Sequence, residues 1–154
     1  MSKILENLNA LNIIIPKVTS PAANYIAYRI SQNTIYIAGQ IPILNGKLPY
    51  TGKVGDKISE SEGKEAAKLC GINILAVLNT ALDNDLDRVS KCLKIGVFIN
   101  AIQSFTNHPE VANGISDLMV AVFGDKGKHS RFAIGAASLP RNASVEADAI
   151  FEIS

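Results

Sequence analysis

Two rhythms of apolar residues run along this chain. Between residue 59 and about residue 82 the rhythm is helical, with Ala66, Cys70, Ile74, Val77, Leu78 and Ala81 on one face. Ser59-Glu60-Ser61-Glu62 opens that segment as a capping box, Ser59 being the N-cap and Glu62 reaching back. A second helical segment holds Pro109 in its first turn and carries Val111, Leu118, Met119 and Val122 on its stripe. Gly124 ends it in the C′ position. Elsewhere the rhythm is that of strands. Residues 26–30 and 34–39, rich in Ile and Tyr, form a hairpin around Ser31-Gln32-Asn33. Residues 89–100 make a long strand that sets Leu93, Ile95, Val97 and Ile99 apart from Lys91 and Lys94. Residues 131–138 and 143–153 are two further strands joined by a Leu-Pro-Arg-Asn turn. Asn45-Gly46 marks a tight turn. Near the start, Leu5, Leu8 and Leu11 give residues 4–11 the spacing of a short amphipathic helix.

The order ββαβαββ, without repeat or linker, predicts one α+β domain: a mixed β-sheet with two helices over one face. The other face then needs cover of its own. Composition sharpens that point. The 154 residues are 47% hydrophobic and 19% charged, apolar enough that part of the surface is expected to meet another subunit. Fifteen basic and 14 acidic residues leave a net charge of +1. With no basic stripe and no interleaved aromatics, a nucleic-acid partner is not expected. Cys70 and Cys92 make no disulfide framework and read as reduced, buried thiols of a cytoplasmic protein. No signal peptide and no apolar run of membrane-spanning length stands out, so no membrane association is expected.

Little in the sequence resembles a standard catalytic device. His108 and His129 share no ligand spacing with each other or with the cysteines, so no metal site is expected. There is no nucleophile triad, P-loop or dinucleotide glycine motif, and no cofactor is expected. What remains is Arg131 at the start of one strand and Glu146 inside the apolar alternation of the next. A guanidinium is a planar, permanently charged fork for a carboxylate. An acid among apolar neighbours can aim or deprotonate a water. The plainer alternative is a solvated strand-end arginine and a glutamate on a wet face.

Spacing favours the first reading through a resemblance. Arg131-x7-Leu139-Pro140-x5-Glu146, preceded by Ser20-Pro21-Ala22-Ala23-Asn24-Tyr25 and by Ile35-Tyr36-Ile37-Ala38-Gly39-Gln40-Ile41-Pro42, resembles the signature blocks of the Rid (YjgF-type, L-PSP endoribonuclease-labelled) family. The resemblance spans about residues 20–153 and implies a chorismate-mutase-like α+β fold assembled as a homotrimer. Residues 20–154 are then the family domain and residues 1–19 an N-terminal extension packed on its outside. It implies three sites in clefts between subunits, open to a small carboxylate. Arg131 matches the carboxylate clamp, Glu146 the acid that orients water, Tyr25 the hydroxyl that closes the pocket. Gly39 matches the glycine whose backbone lies against the ligand, and Asn113 the family's helix asparagine. Each of these lesser candidates also has a structural reading: Tyr25 as a strand-end core aromatic, Gly39 as a tight strand exit, Asn113 as a helix surface residue. His129, beside Arg131, reads either as a proton carrier or as a loop histidine.

The implied reaction is cofactor-free hydrolysis of a 2-imino or 2-enamino acid to the 2-keto acid and ammonia. The alternative is a trimer that binds small carboxylates without turning them over, with ribonuclease activity a distant third. The chain departs from the family pattern at Ala38, where a serine is usual, and at Phe132-Ala133. It is also longer at the N-terminus and around residues 105–123.

Overall fold

The computed structural model describes residues 2–18, 20, 21 and 23–154. Thr19, at the expected domain boundary, and Ala22, within the Ser-Pro-Ala block, lie outside the described residues. The elements run α1 (Lys3–Ala10), β1 (Tyr28–Ser31), β2 (Thr34–Gln40), α2 (Glu60–Ala81), β3 (Val89–Asn100), α3 (His108–Phe123), β4 (Ser130–Ala136) and β5 (Val145–Ile153), with short 3-10 turns between some of them. The strands form one mixed sheet in the order β1-β2-β5-β3-β4. β3 and β4 are parallel, joined by the crossover helix α3. The other three pairings are antiparallel.

Local chemistry accounts for the element ends. Ser59 Oγ accepts from the Glu62 N–H at 3.1 Å and Glu62 Oε2 accepts from the Ser59 N–H at 2.8 Å, so the capping box starts α2 as expected. Asn45 and Gly46 both take positive φ, 51° and 76°, in the tight turn bridged by Leu44 and Lys47. Gly124, at φ 61°, is the cap of α3 itself rather than the residue beyond it. A single 3-10 turn follows it.

The core lies between the sheet and the pair α2/α3. Ile35 and Ile37 of β2, Ala147, Ala149 and Phe151 of β5, and Ile95, Val97 and Ile99 of β3 are all buried on the helix-facing side. Gly63, Gly71 and Gly114 let α2 and α3 approach closely. A Cβ on Gly71 would lie 2.8 Å from Leu118 Cδ2, and one on Gly114 would overlap the Lys64 carbonyl oxygen. Among the described residues, no helix covers the opposite face of the sheet. There Phe98 and Phe132 meet edge to face at 5.2 Å, and Tyr36 and Ile134 are each 48% exposed.

Two expectations change. Bulges between Val89 and Lys91 and between Cys92 and Lys94 rotate the first half of β3, so Leu93 points outward, while Cys92 is buried as read. The strands flanking the Leu-Pro-Arg-Asn turn have β3 between them. In α1 the buried residues are Ile4 and Leu8, while Leu5 and Leu11 are exposed. That helix packs on α3, where Asn7 Nδ2 donates to the Val122 carbonyl at 2.8 Å, and its buried side chains join the main core.

Candidate functional site

Where β2 ends, its register against β5 shifts between Ile37 and Gln40. The irregularity brings Gly39 directly over Glu146: a Cβ on Gly39 would overlap Glu146 Oε1 and lie 3.3 Å from its Cδ. Glu146 alternates with the buried Val145 and Ala147, so its carboxylate leaves the core row. Together these residues line a cleft of about 660 Å³ with Tyr25, Gln40, Asn73 and Arg141. Burial, and then the nearby Asp148 charge, raise the Glu146 carboxyl above its ordinary value. A half-buried carboxylate with a raised affinity for protons is suited to taking one from water.

Two cleft residues escaped the sequence reading. Arg141 sits within the Leu-Pro-Arg-Asn turn at φ 57° and is a cation that the same chain brings to the Glu146 cleft. Asn73, on α2, fixes the cleft wall by donating to the carbonyls of Ile41 and Ile43 at 3.0 and 3.1 Å. Asn73 carries no local cue, since its partners lie 30 and 32 residues away.

Arg131 lies elsewhere. It pairs with Ile95 across β4 and β3 and points toward α3, while Glu146 pairs with Phe98 on the other side of β3. Two strand spacings and three residues of offset separate their backbones by roughly 14 Å. The Arg131 side chain donates through Nη1 to Asn113 Oδ1 at 2.9 Å and to Ser116 Oγ at 3.0 Å. Asn113 Nδ2 in turn donates to Glu110 Oε2 at 3.3 Å. The structure thus brings Tyr25, Gly39 and Glu146 together, and separately Arg131 and Asn113. A single chain does not join the two groups. His129 precedes β4, its ring placed between the Gly127 carbonyl and Ser116. Ser116 was not singled out from sequence. Its position one helical turn after Asn113, on the same face, is the signal that would have found it.

Among the described residues, no three His, Cys, Asp or Glu side chains gather in a way that would hold a metal ion. No helix among them is long and apolar enough to cross a membrane.

Fold and site define a class: a small α+β protein with a crossover-linked mixed sheet, an uncovered sheet face, and a carboxylate set in a cleft beside a glycine. Residues 6–151 match the family described as "YjgF/chorismate_mutase-like, putative endoribonuclease". The chain belongs to that family, as its signature blocks indicated. It is 39% identical over 153 residues to Protein TCP17 of Trypanosoma cruzi, covering 99% of this chain and 95% of that one. The crystal structure of Atu1372 from Agrobacterium tumefaciens superposes with a TM-score of 0.90 at 41% identity, over 99% of this chain and 93% of that one. A crystal structure from Shewanella oneidensis MR-1 gives 0.95 at 31% identity, over 99% and 100%.

Proposed function

We propose that the protein hydrolyses reactive 2-imino or 2-enamino acids to 2-keto acids and ammonia, without a cofactor, at clefts between the copies of a homotrimer. In this reading Tyr25, Gly39 and Glu146 of one copy face Arg131 and Asn113 of the next. The observation that carries it is the placement of Glu146, half-buried and held against Gly39 in an open cleft. Arg131 holds the substrate carboxylate, while Glu146 aims a water at the imine carbon and takes its proton. That carbon is already electrophilic, so holding and aiming are most of what catalysis requires. Addition gives a carbinolamine; proton transfer to nitrogen and loss of ammonia leave the ketone.

Two observations support an assembly, and a third supports the carboxylate ligand. The uncovered sheet face carries Tyr36, Phe98, Phe132 and Ile134. The arginine and glutamate groups are too far apart to act on one molecule within a chain. The crystal structure of E. coli TdcF, which shares the fold at a TM-score of 0.64 and 18% identity, contains bound serine, a small molecule bearing the carboxylate that the clamp requires. Two unpaired cysteines suit a reducing compartment such as the cytoplasm. A relative 27% identical over 94% of the chain is named Protein MMF1, mitochondrial, of Saccharomyces cerevisiae.

The test is keto-acid formation from oxidase-generated imines in competition with semicarbazide. The wild type should outcompete the trap, and Arg131→Ala and Glu146→Gln should not. Co-assembled Arg131→Ala and Glu146→Gln chains should regain about a quarter of wild-type activity, because a quarter of randomly mixed clefts unite an intact half from each. Calorimetric binding of 2-keto acids without turnover would select the carboxylate-binding trimer instead. RNA cleavage abolished by Arg131→Ala, without imine hydrolysis, would overturn both.

A further inference from the structure

The Arg131 guanidinium is held by neutral groups rather than by an acid. None of the ion pairs among the described residues includes it, so its charge is not compensated before a ligand arrives. Both hydrogens of Nη1 are used, by Asn113 Oδ1 at 2.9 Å and Ser116 Oγ at 3.0 Å. Nη2 spends one hydrogen on a long contact of 3.5 Å with the Pro109 carbonyl. Nε makes no hydrogen bond among the described residues. The Nε hydrogen and one Nη2 hydrogen therefore keep no partner, leaving two N–H donors for a carboxylate.

Ser116 can accept from Arg131 only with its lone pairs turned that way, and His129 turns them. His129 Nδ1 lies 2.6 Å from the Gly127 carbonyl. A carbonyl only accepts, so Nδ1 carries a proton, and in the neutral ring Nε2 is then the bare nitrogen. Nε2 is 2.9 Å from Ser116 Oγ, so the Ser116 hydroxyl donates to it and presents its lone pairs to Nη1. The order is Gly127 carbonyl, His129, Ser116, Arg131.

We propose that Ser116 and His129 are positioning residues that fix the rotation of the Arg131 guanidinium so that its free edge meets the substrate carboxylate; this rests on the carboxylate-clamp reading of Arg131 given above. A clamp set in this way grips substrate and transition state alike, so its loss weakens KM rather than kcat.

Ser116→Ala, Ser116→Thr, Ser116→Ala with His129→Leu, and Arg131→Ala test this, through KM and kcat in the trap assay and 2-oxobutanoate binding by calorimetry. Ser116→Ala should raise KM and the Kd for 2-oxobutanoate roughly tenfold, with kcat within about twofold of wild type. Ser116→Thr, which keeps the hydroxyl, should restore both. Adding His129→Leu to Ser116→Ala should weaken binding no further, since the two act in one chain of hydrogen bonds. If Arg131→Ala raises KM and Kd while Ser116→Ala changes neither, or lowers kcat alone, the positioning role is wrong and the clamp stands. If Arg131→Ala also leaves KM and Kd unchanged, the clamp itself falls and this inference falls with it.

Discussion

Gly39→Ala should cost activity while leaving the fold intact. Gly39 lies in β2, outside the left-handed region that only some of the glycines occupy, so alanine can adopt its backbone. The gain is that of any permitted Gly→Ala change, about 0.4–1 kcal/mol from a stiffer unfolded chain. The added methyl, however, would occupy the place of Glu146 Oε1. The carboxylate is the free end of a flexible side chain, so it must retreat by roughly 1 Å to reach an ordinary non-bonded distance. Displacing a catalytic group by that much costs about 100-fold in rate, or about 2.7 kcal/mol of barrier. The trap assay reads the first effect and differential scanning calorimetry the second. Expected are a kcat/KM lowered about 100-fold and a Tm unchanged or raised by about 2 °C. Full activity in Gly39→Ala would refute the claim that Gly39 sets the position of a working Glu146. A Tm lowered by 10 °C or more would refute the claim that only a flexible carboxylate end is in the way.

Gly114→Ala is the opposite case. Its methyl would overlap the Lys64 carbonyl oxygen and lie 3.2 Å from the Lys68 nitrogen, backbone atoms of α2 that cannot step aside, so about 3 kcal/mol and roughly 10 °C of Tm should be lost in thermal unfolding. The raised Glu146 carboxyl predicts that kcat/KM falls on acidification at a pH above that expected of a solvated glutamate, and a pH–rate profile checks it. The same shift has a stability sign: a carboxyl whose folded pKa exceeds its unfolded one supports folding fully below the ordinary value of 4.5 and loses that support as pH rises through the folded value. Glu146→Gln should therefore raise Tm at pH 7, and the gap should close below pH 4.5. Burial raises the Cys92 thiol to about 12 and the Cys70 thiol well above its ordinary value, so a thiol reagent at pH 8 should find neither in the native protein and both after denaturation.

What the sequence made legible was local. A capping box is four adjacent residues, and an Asn-Gly turn is two; both are formed as read. The burial of Ile95, Val97 and Ile99 followed from alternation, but the exposure of Leu93 did not, because a bulge shifts the period and depends on the partner strand. Nothing local says that β3 inserts between β4 and β5. The signature blocks singled out Arg131 and Glu146, yet spacing alone could not reveal that they face different neighbours. Ser116 stayed hidden for the same reason, since its partners His129 and Arg131 lie 13 and 15 residues further along the chain.

The sheet order has a consequence for how the molecule is made. β5 is the last of the five strands in chain order, and it is the one that joins β1-β2 to β3-β4. Until it emerges, β2 and β3 each expose a bare hydrogen-bonding edge, and the helices have only two half-floors to rest on. At a synthesis rate of about 5–20 residues per second, about one to three seconds separate the end of β4 from the end of β5, and over that time the β1-β2 hairpin and the parallel β3-β4 pair are unjoined. Glu146 arrives on that same closing strand, so the cleft acquires its carboxylate in the step that seals the sheet, and no nascent chain short of β5 can carry the site.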